Sequence, residues 1–209
     1  MSLRSITMIT LAVVAVGAQA APLTTLPSSL PSIGGSGLEN VLFNVATSAD
    51  GLLSVALGAH AYKNDAYLAN NGTDTFYAGS GVYLPDGLNR ANWSFDFSYR
   101  LAPGCVGCSV LLRIDTDPSA ATNFVDVNLT SAGYGLAGGD SWNLKMGFLS
   151  PIGFDPFSPS TTDFALVVRN GAGRDFVGTN ITVSVPEPAT LTLLGLGLAG
   201  LGFMRRKQA

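Results

Sequence analysis

Residues 93–101 constrain the fold most strongly, because polar and apolar side chains alternate along the whole stretch. The apolar positions are Trp93, Phe95, Phe97, Tyr99 and Leu101. The polar positions between them are Ser94, Asp96, Ser98 and Arg100. Side chains of a β-strand point alternately to its two faces, so this pattern predicts a strand with one buried face and one solvated face.

Further strand and turn signals extend from residue 38 to residue 185. The alternation returns at residues 181–185, and weaker strand candidates lie at 52–57, 110–114, 125–129, 142–148 and 164–168. Tight turns are predicted at Asn71-Gly72, Asn170-Gly171 and Pro85-Asp86-Gly87, since Asn and Gly tolerate the positive φ that such turns need. Helical periodicity is not convincing anywhere in this range. We therefore predict an all-β domain at residues 38–185, built as an antiparallel β-sandwich or jelly roll.

The N-terminus has the pattern of a secretory signal peptide. One basic residue precedes an apolar run at residues 6–16, and Ala18 and Ala20 form a small-x-small cleavage site. We predict a signal peptide at residues 1–20, with the mature chain starting at Ala21. An uncleaved membrane anchor is the alternative.

Residues 21–37 are rich in Pro, Ser, Thr, Leu and Gly and show neither helical nor strand periodicity. This composition predicts an extended linker before the β domain.

The C-terminus combines a short motif, a charge-free apolar run at residues 189–204 and a basic end. The motif consists of Val185, Pro186, Glu187 and Pro188. The basic end consists of Arg205, Arg206 and Lys207. As a helix the apolar run would be about 24 Å long, a little short of a bilayer core, and it predicts a single transmembrane helix with the basic end in the cytoplasm.

In this order, the three parts resemble the PEP-CTERM sorting signal of exported bacterial surface proteins. The resemblance covers residues 185–209 and implies nothing directly about the rest of the chain. It implies recognition and cleavage by a membrane-embedded exosortase, transient anchoring in the membrane, and delivery to the cell surface or the extracellular space. It also implies a Gram-negative source that makes exopolysaccharide or biofilm matrix, and hence a structural or polysaccharide-associated role.

Cys105 and Cys108 are the two cysteines of the chain, and they lie between the strands predicted at 93–101 and 110–114. An oxidising envelope favours a local disulfide at the tip of a hairpin. A thioredoxin-like redox role lacks the βαβ setting, and a zinc site would need more ligands than His60 can add.

The residues that usually perform catalysis are scarce. His60 is the sole histidine, which argues against Ser-His-Asp and Cys-His sites, and we expect it at the surface or at a strand end. Glu39 and Glu187 are the only glutamates, so a glycosidase would have to use aspartates. We predict no enzyme activity and no cofactor, with a secreted carbohydrate-active hydrolase on a β-sandwich as the alternative.

Two weaker binding hypotheses remain open in the β domain. Calcium has candidate oxygen ligands, but their spacing matches no calcium loop, so we predict no metal site. The candidates are Asp115, Asp117, Asp126, Asp140 and Asp163. Several aromatic residues are suited either to stacking on sugars or to packing in a core. They are Tyr62, Tyr67, Phe76, Tyr77 and Tyr83.

The charge of the segment between the two predicted targeting signals excludes one class of partner. Residues 21–188 carry fourteen acidic and seven basic side chains, a net charge of about −7. Nucleic-acid binding depends on clustered Lys and Arg, so we expect no nucleic-acid partner.

Overall fold

The computed structural model describes residues 21–34, 41–63, 67–119 and 121–187. These residues form twelve strands and two short helical segments, which confirms the all-β prediction. The strands are β1 Phe43–Thr47, β2 Ser54–Ala61, β3 Ala69–Asn70, β4 Thr75–Tyr77, β5 Val82–Tyr83, β6 Arg90–Ala91, β7 Trp93–Arg100, β8 Ser109–Asp115, β9 Phe124–Asn128, β10 Ala137–Trp142, β11 Ser160–Arg169 and β12 Asp175–Val185. The helical segments are an irregular turn at Thr130–Tyr134 and a 3₁₀ helix at Gly147–Ile152.

Two sheets face each other across one main core. The four-stranded sheet has the order β1-β2-β7-β10, and the six-stranded sheet has the order β3-β4-β12-β11-β8-β9. Strands β5 and β6 form a separate hairpin. Phe95 of the first sheet and Phe164 of the second have ring centroids 4.4 Å apart, and both are fully buried. The domain is therefore a two-layer β structure, while a jelly-roll order of connections stays a prediction.

One strand pair departs from the predicted antiparallel arrangement. β4 pairs with β12 in parallel, through Tyr77 opposite Ser184, whereas the other ladders of the two sheets are antiparallel. The two strands are far apart in the sequence, so no short turn dictates their relative direction. Local sequence patterns therefore had no means of predicting a mixed sheet.

Strand β7 confirms half of the prediction made for residues 93–101. Its aromatic side chains fill the core between the sheets, but the opposite face is not solvated, because Ser94, Asp96 and Ser98 are also buried. The predicted wet face is wrong here because other parts of the chain cover it. Sequence alternation identifies two different faces without showing what packs on the polar one.

Part of this cover comes from the segment predicted as a linker. Leu30 is buried, and Leu26 and Ile33 pack beside it against Phe43 and Ala56. The Ser98 hydroxyl donates a hydrogen bond of 2.8 Å to the carbonyl of Pro31, which ties the segment to β7. Residues 26–33, which include a turn at 28–29, lie on the four-stranded sheet because their apolar side chains are removed from water there.

The strand predicted at 142–148 ends at its first residue, where β10 finishes at Trp142. Asn143 follows and directs its amide into the backbone of another segment. Its Nδ2 donates to the carbonyls of Ala91 and Trp93 at 3.0 and 2.7 Å, and its Oδ1 accepts from the amide of Ala91 at 3.0 Å. This buried side chain takes the place of a strand partner, and the chain then turns into the 3₁₀ helix.

Two predicted targeting segments, the signal peptide at 1–20 and the transmembrane helix within 185–209, lie outside the described residues apart from Val185, Pro186 and Glu187. Within the described ranges, no helix has the length and apolar character needed to cross a membrane.

Candidate functional site: the exit end of the sandwich

The C-terminal motif begins inside the last strand. Val185 is buried in the core and pairs with Ser160 of β11, whereas Pro186 and Glu187 are exposed. On the other side of β12, the amide of Ala78 donates a hydrogen bond of 2.9 Å to the carbonyl of Ser184. Pro186 lacks an amide hydrogen and cannot continue the ladder. The motif therefore leaves the folded domain within one residue of its core.

We call the end of the sandwich at which β12 finishes the exit end. It is built from the strand ends near Val185 and from two long loops, residues 78–92 and 143–159. The loops are joined by a hydrogen bond of 2.5 Å from the amide of Gly81 to the carbonyl of Pro156. The start of β11 is joined to the loop between β8 and β9 by a hydrogen bond of 3.2 Å from the amide of Thr161 to the carbonyl of Pro118. The exit end is thus a connected surface around the start of the tail.

A cavity of about 160 Å³ opens at the exit end. Its lining includes Asp115, Asp117, Phe154, Asp155 and Ser160. Asp115 Oδ1 accepts hydrogen bonds from the amides of Asp117 and Asn123, at 3.0 and 2.7 Å. Asp115 Oδ2 and Ser160 Oγ are buried and have no hydrogen-bond partner among the described residues. Buried polar atoms in this state are uncommon, and they make the cavity the best candidate for a small polar ligand.

The comparison with protein families decides the identity of the tail. A model of the PEP-CTERM protein-sorting motif matches residues 184–207. The chain carries a PEP-CTERM protein-sorting motif at its C-terminal end. Such a motif implies an exported, cell-surface-directed protein that is processed by an exosortase. No curated protein and no solved structure matches the chain.

The residues expected in this PEP-CTERM signal are only partly within the described ranges. Val185, Pro186 and Glu187 are at the exit end, as above. Pro188, Arg205, Arg206 and Lys207 lie outside the described residues. Of the predicted cleavage site, Ala21 is described and exposed, while Ala18 and Ala20 are not described.

The aspartates considered as calcium ligands are dispersed. Asp126 pairs with Arg113 at 3.0 Å, and Asp163 accepts a hydrogen bond of 2.6 Å from the hydroxyl of Thr182. Asp140 accepts from Tyr134 and Trp142 instead. Across the part of the chain that the structure describes, there is no group of three or more His, Cys, Asp or Glu residues placed to hold a metal ion.

His60 lies one residue before the end of β2, in agreement with the expected strand end, but its side chain is buried and not at the surface. Its Nδ1 lies 2.7 Å from Asp96 Oδ2, and the two side chains are only 4 % and 0 % exposed. Burial raises the pKa of the Asp96 carboxyl above its ordinary value, and the hydrogen bond with His60 acts in the opposite direction. The pair lies on the face of the four-stranded sheet away from the main core. A pair this enclosed is poorly placed to meet a substrate.

Cys105 and Cys108 are joined by a disulfide, with their Cα atoms 5.5 Å apart. The sequence analysis expected this bridge at the tip of a hairpin. That expectation was wrong, because β7 and β8 belong to different sheets and do not pair. The bridge closes a tight loop where the chain crosses between the sheets. This loop is at the opposite end of the sandwich from Val185, next to Leu52 and Phe176.

The aromatic residues considered for sugar stacking do not form one platform. Phe76 is buried in the core, Tyr62 packs edge-on against Tyr83 at 5.6 Å, and Tyr67 and Tyr77 are exposed. A grouping that the sequence analysis missed lies at β10, where Trp142 contacts Phe148 at 4.9 Å between ring centroids. This contact joins the last residue of β10 to the 3₁₀ helix, whereas the sequence analysis had placed both residues in one continuous strand, in which they could not have met.

Proposed function

We propose that this PEP-CTERM protein is held in the membrane by its apolar tail, cut near Pro186–Pro188 by an exosortase, and delivered to the cell surface or the extracellular space. The observation that carries the proposal is the sorting motif that begins at Val185, the last buried residue of β12. The folded ectodomain then includes the first residue of the motif that the processing enzyme reads.

The test is mass spectrometry of the mature protein from cells with and without the exosortase. In cells with the enzyme, we expect a chain that starts at Ala21 and lacks Arg205, Arg206 and Lys207. In cells without it, the basic end should be retained. Retention of the basic end in the presence of the enzyme would contradict the processing step.

For the ectodomain we propose a non-catalytic structural role in a polysaccharide or biofilm matrix. Most described acidic side chains near possible sites are engaged in structural contacts, as for Asp96, Asp126, Asp140 and Asp163. An acid or base in catalysis needs access to the substrate and freedom to exchange its proton; Asp96 is fully buried, and the other three are held by neighbouring side chains. Binding to the producer's own exopolysaccharide, measured by co-sedimentation, tests the polysaccharide part of the role. Complete absence of binding would contradict the polysaccharide part of the proposed role.

The alternative is a carbohydrate-active hydrolase, and one observation favours it. The exit-end cavity brings Asp115, Asp117 and Asp155 to one site, and Asp115 keeps an unpartnered oxygen. If this alternative holds, release of reducing sugar ends from the exopolysaccharide should be measurable, and Asp115→Asn should abolish it while Asp126→Asn should not. No release by the wild-type protein would exclude the alternative for that substrate.

A further inference from the structure

The tail leaves the domain very close to the start of its apolar run. The run begins at Ala189, four residues after Val185. A fully extended chain advances at most about 3.5 Å per residue, so these two positions are at most about 14 Å apart. If the tail is in a bilayer, as the proposed function requires, the exit end lies within that distance of the membrane surface. The inference below rests on this part of the proposed function.

The loops of the exit end expose large apolar side chains. Leu84 and Leu88 are 68 % and 55 % exposed at the tip of the β5–β6 hairpin, and Phe157 is 65 % exposed in the loop that leads into β11. Exposed apolar side chains that lie together often mark a surface that binds a partner or a membrane. On a membrane-facing surface these three side chains would be removed from water.

Hydrogen bonds and packing place these side chains around the tail. Pro156, the neighbour of Phe157, is bonded to Gly81 at the base of the hairpin. The hairpin tip is attached to the end of β2 through Tyr62, whose hydroxyl donates to Asp86 at 3.0 Å. Since β2 and β7 are antiparallel, this end of β2 lies beside Trp93, and Trp93 contacts Phe154 near the cavity. Both loops therefore belong to the same end of the domain as Val185.

We propose that the exit end is a membrane-docking surface, in which Leu84, Leu88 and Phe157 enter the boundary between lipid headgroups and acyl chains. The occupant is the bilayer that holds the tail of the same chain. Docking would fix the height of the sorting motif above the membrane for a membrane-embedded enzyme. Each apolar contact is weak alone, but the tether keeps the surface at a high effective concentration near the lipid.

The charges at the exit end indicate what kind of lipid surface fits. Lys63 is paired with Asp86 at 3.1 Å, the two loops also carry Arg90 and Lys145, and Asp117, Asp155 and Glu187 add negative charge nearby. Basic and acidic side chains are therefore mixed at this end, and such a surface gains little from anionic lipids, which attract clusters of Lys and Arg. Docking is therefore driven by apolar side chains, and we expect it on zwitterionic phosphatidylcholine with little dependence on salt.

The test uses the full chain reconstituted in phosphatidylcholine vesicles, with an environment-sensitive fluorophore on a single introduced cysteine. The reporter positions are Leu88→Cys and Phe157→Cys at the exit end. Leu52→Cys is the matched control, because Leu52 is 57 % exposed at the opposite end. We expect a blue shift and at least about twofold quenching by acyl-chain nitroxide lipids at the exit end. The control should show neither.

Each other outcome contradicts the proposal at a different step. Chain that floats with the vesicles but shows equal, unquenched fluorescence at all three positions overturns docking and leaves the membrane-held tail intact. Chain that does not float with the vesicles overturns both docking and the membrane step of the proposed function. A blue shift that grows with protein concentration and is not quenched by the lipid shows that a second copy covers the surface, and also overturns docking.

A pair of charge variants supplies a second readout. Leu84→Asp with Leu88→Asp should reduce quenching at the Phe157→Cys reporter by at least about twofold. Leu52→Asp should leave it unchanged. Near-ultraviolet circular dichroism should confirm that both variants keep the wild-type fold, as expected for exposed positions. Unchanged quenching in the double variant would show that these leucines do not contact the membrane, and would overturn the proposal.

Discussion

Replacement of His60 by leucine should destabilise the protein strongly, because it leaves the buried Asp96 without its partner. Asp96 Oδ2 would lose its 2.7 Å contact, and Asp96 Oδ1 already has no hydrogen-bond partner among the described residues. Removing one member of a buried polar pair typically costs about 3–5 kcal/mol, because the remaining group is desolvated without compensation. Domains of this kind are stable by only about 5–15 kcal/mol, so the loss should be conspicuous.

The double variant His60→Leu/Asp96→Leu is the matched control. Replacing both partners by apolar groups of similar size removes the unpaired carboxyl, so the double variant should recover most of the loss. Urea unfolding, followed by circular dichroism, measures the free energy of unfolding of all three proteins. A loss below about 1 kcal/mol for His60→Leu would refute the reasoning, since it would mean that water or another group solvates Asp96.

The pH dependence of the free energy of unfolding of the same variants tests the direction of the Asp96 pKa shift. Burial raises the pKa of Asp96, and loss of His60 removes an effect that opposes this rise. A raised carboxyl pKa stabilises the folded state below the ordinary value of about 3.9, and this contribution is lost as the pH rises through the folded-state pKa. The deficit of His60→Leu relative to the double variant should therefore shrink as the pH falls from about 7 towards the ordinary carboxyl pKa of about 3.9. A deficit that grows on acidification would contradict the assignment.

Three further predictions concern the rest of the fold. Burial raises the pKa of Tyr99 to about 12, so stability should fall between about pH 10 and pH 12 in alkaline titrations followed by circular dichroism, and fall less in Tyr99→Phe. Asn143→Ala should cost about 2–4 kcal/mol in urea unfolding, because it leaves backbone groups of Ala91 and Trp93 unpaired; a cost near zero would contradict this. Gly58→Ala should lower the melting temperature, since an added Cβ would lie 2.6 Å from the carbonyl oxygen of Leu42, whereas Gly79→Ala meets nothing within 4 Å and should have little effect.

The strand predictions were confirmed where polar and apolar residues alternate strictly, because this alternation distinguishes the two faces of a strand. Residues 93–101 and 181–185 alternate strictly, and both are strands whose apolar positions are buried. The turn at Asn170 was also predictable, because its Oδ1 accepts from the amides of Ala172 and Arg174 within the same loop. These features depend on neighbours in the sequence, so local chemistry suffices to predict them.

The predictions that failed depended on partners far away in the sequence. The polar face of β7 is covered by residues near 30, and the strand expected at 142–148 is replaced by a loop whose Asn143 binds the backbone of residues 91 and 93. The exit-end cavity combines Asp115 and Asp117 with Asp155, which comes from a separate loop. No periodicity or motif in the sequence records such pairings.

The sequence by itself determined the all-β class, the main strand and the sorting motif, because each is a contiguous pattern that strand geometry or a processing enzyme reads in order. The tertiary structure alone decided that the motif begins on a buried residue, that His60 and Asp96 form an enclosed pair, and that Leu84, Leu88 and Phe157 share one end with the tail. The physical reason is that burial and proximity depend on how the two sheets and their loops pack, and distant segments become neighbours only when the chain has folded.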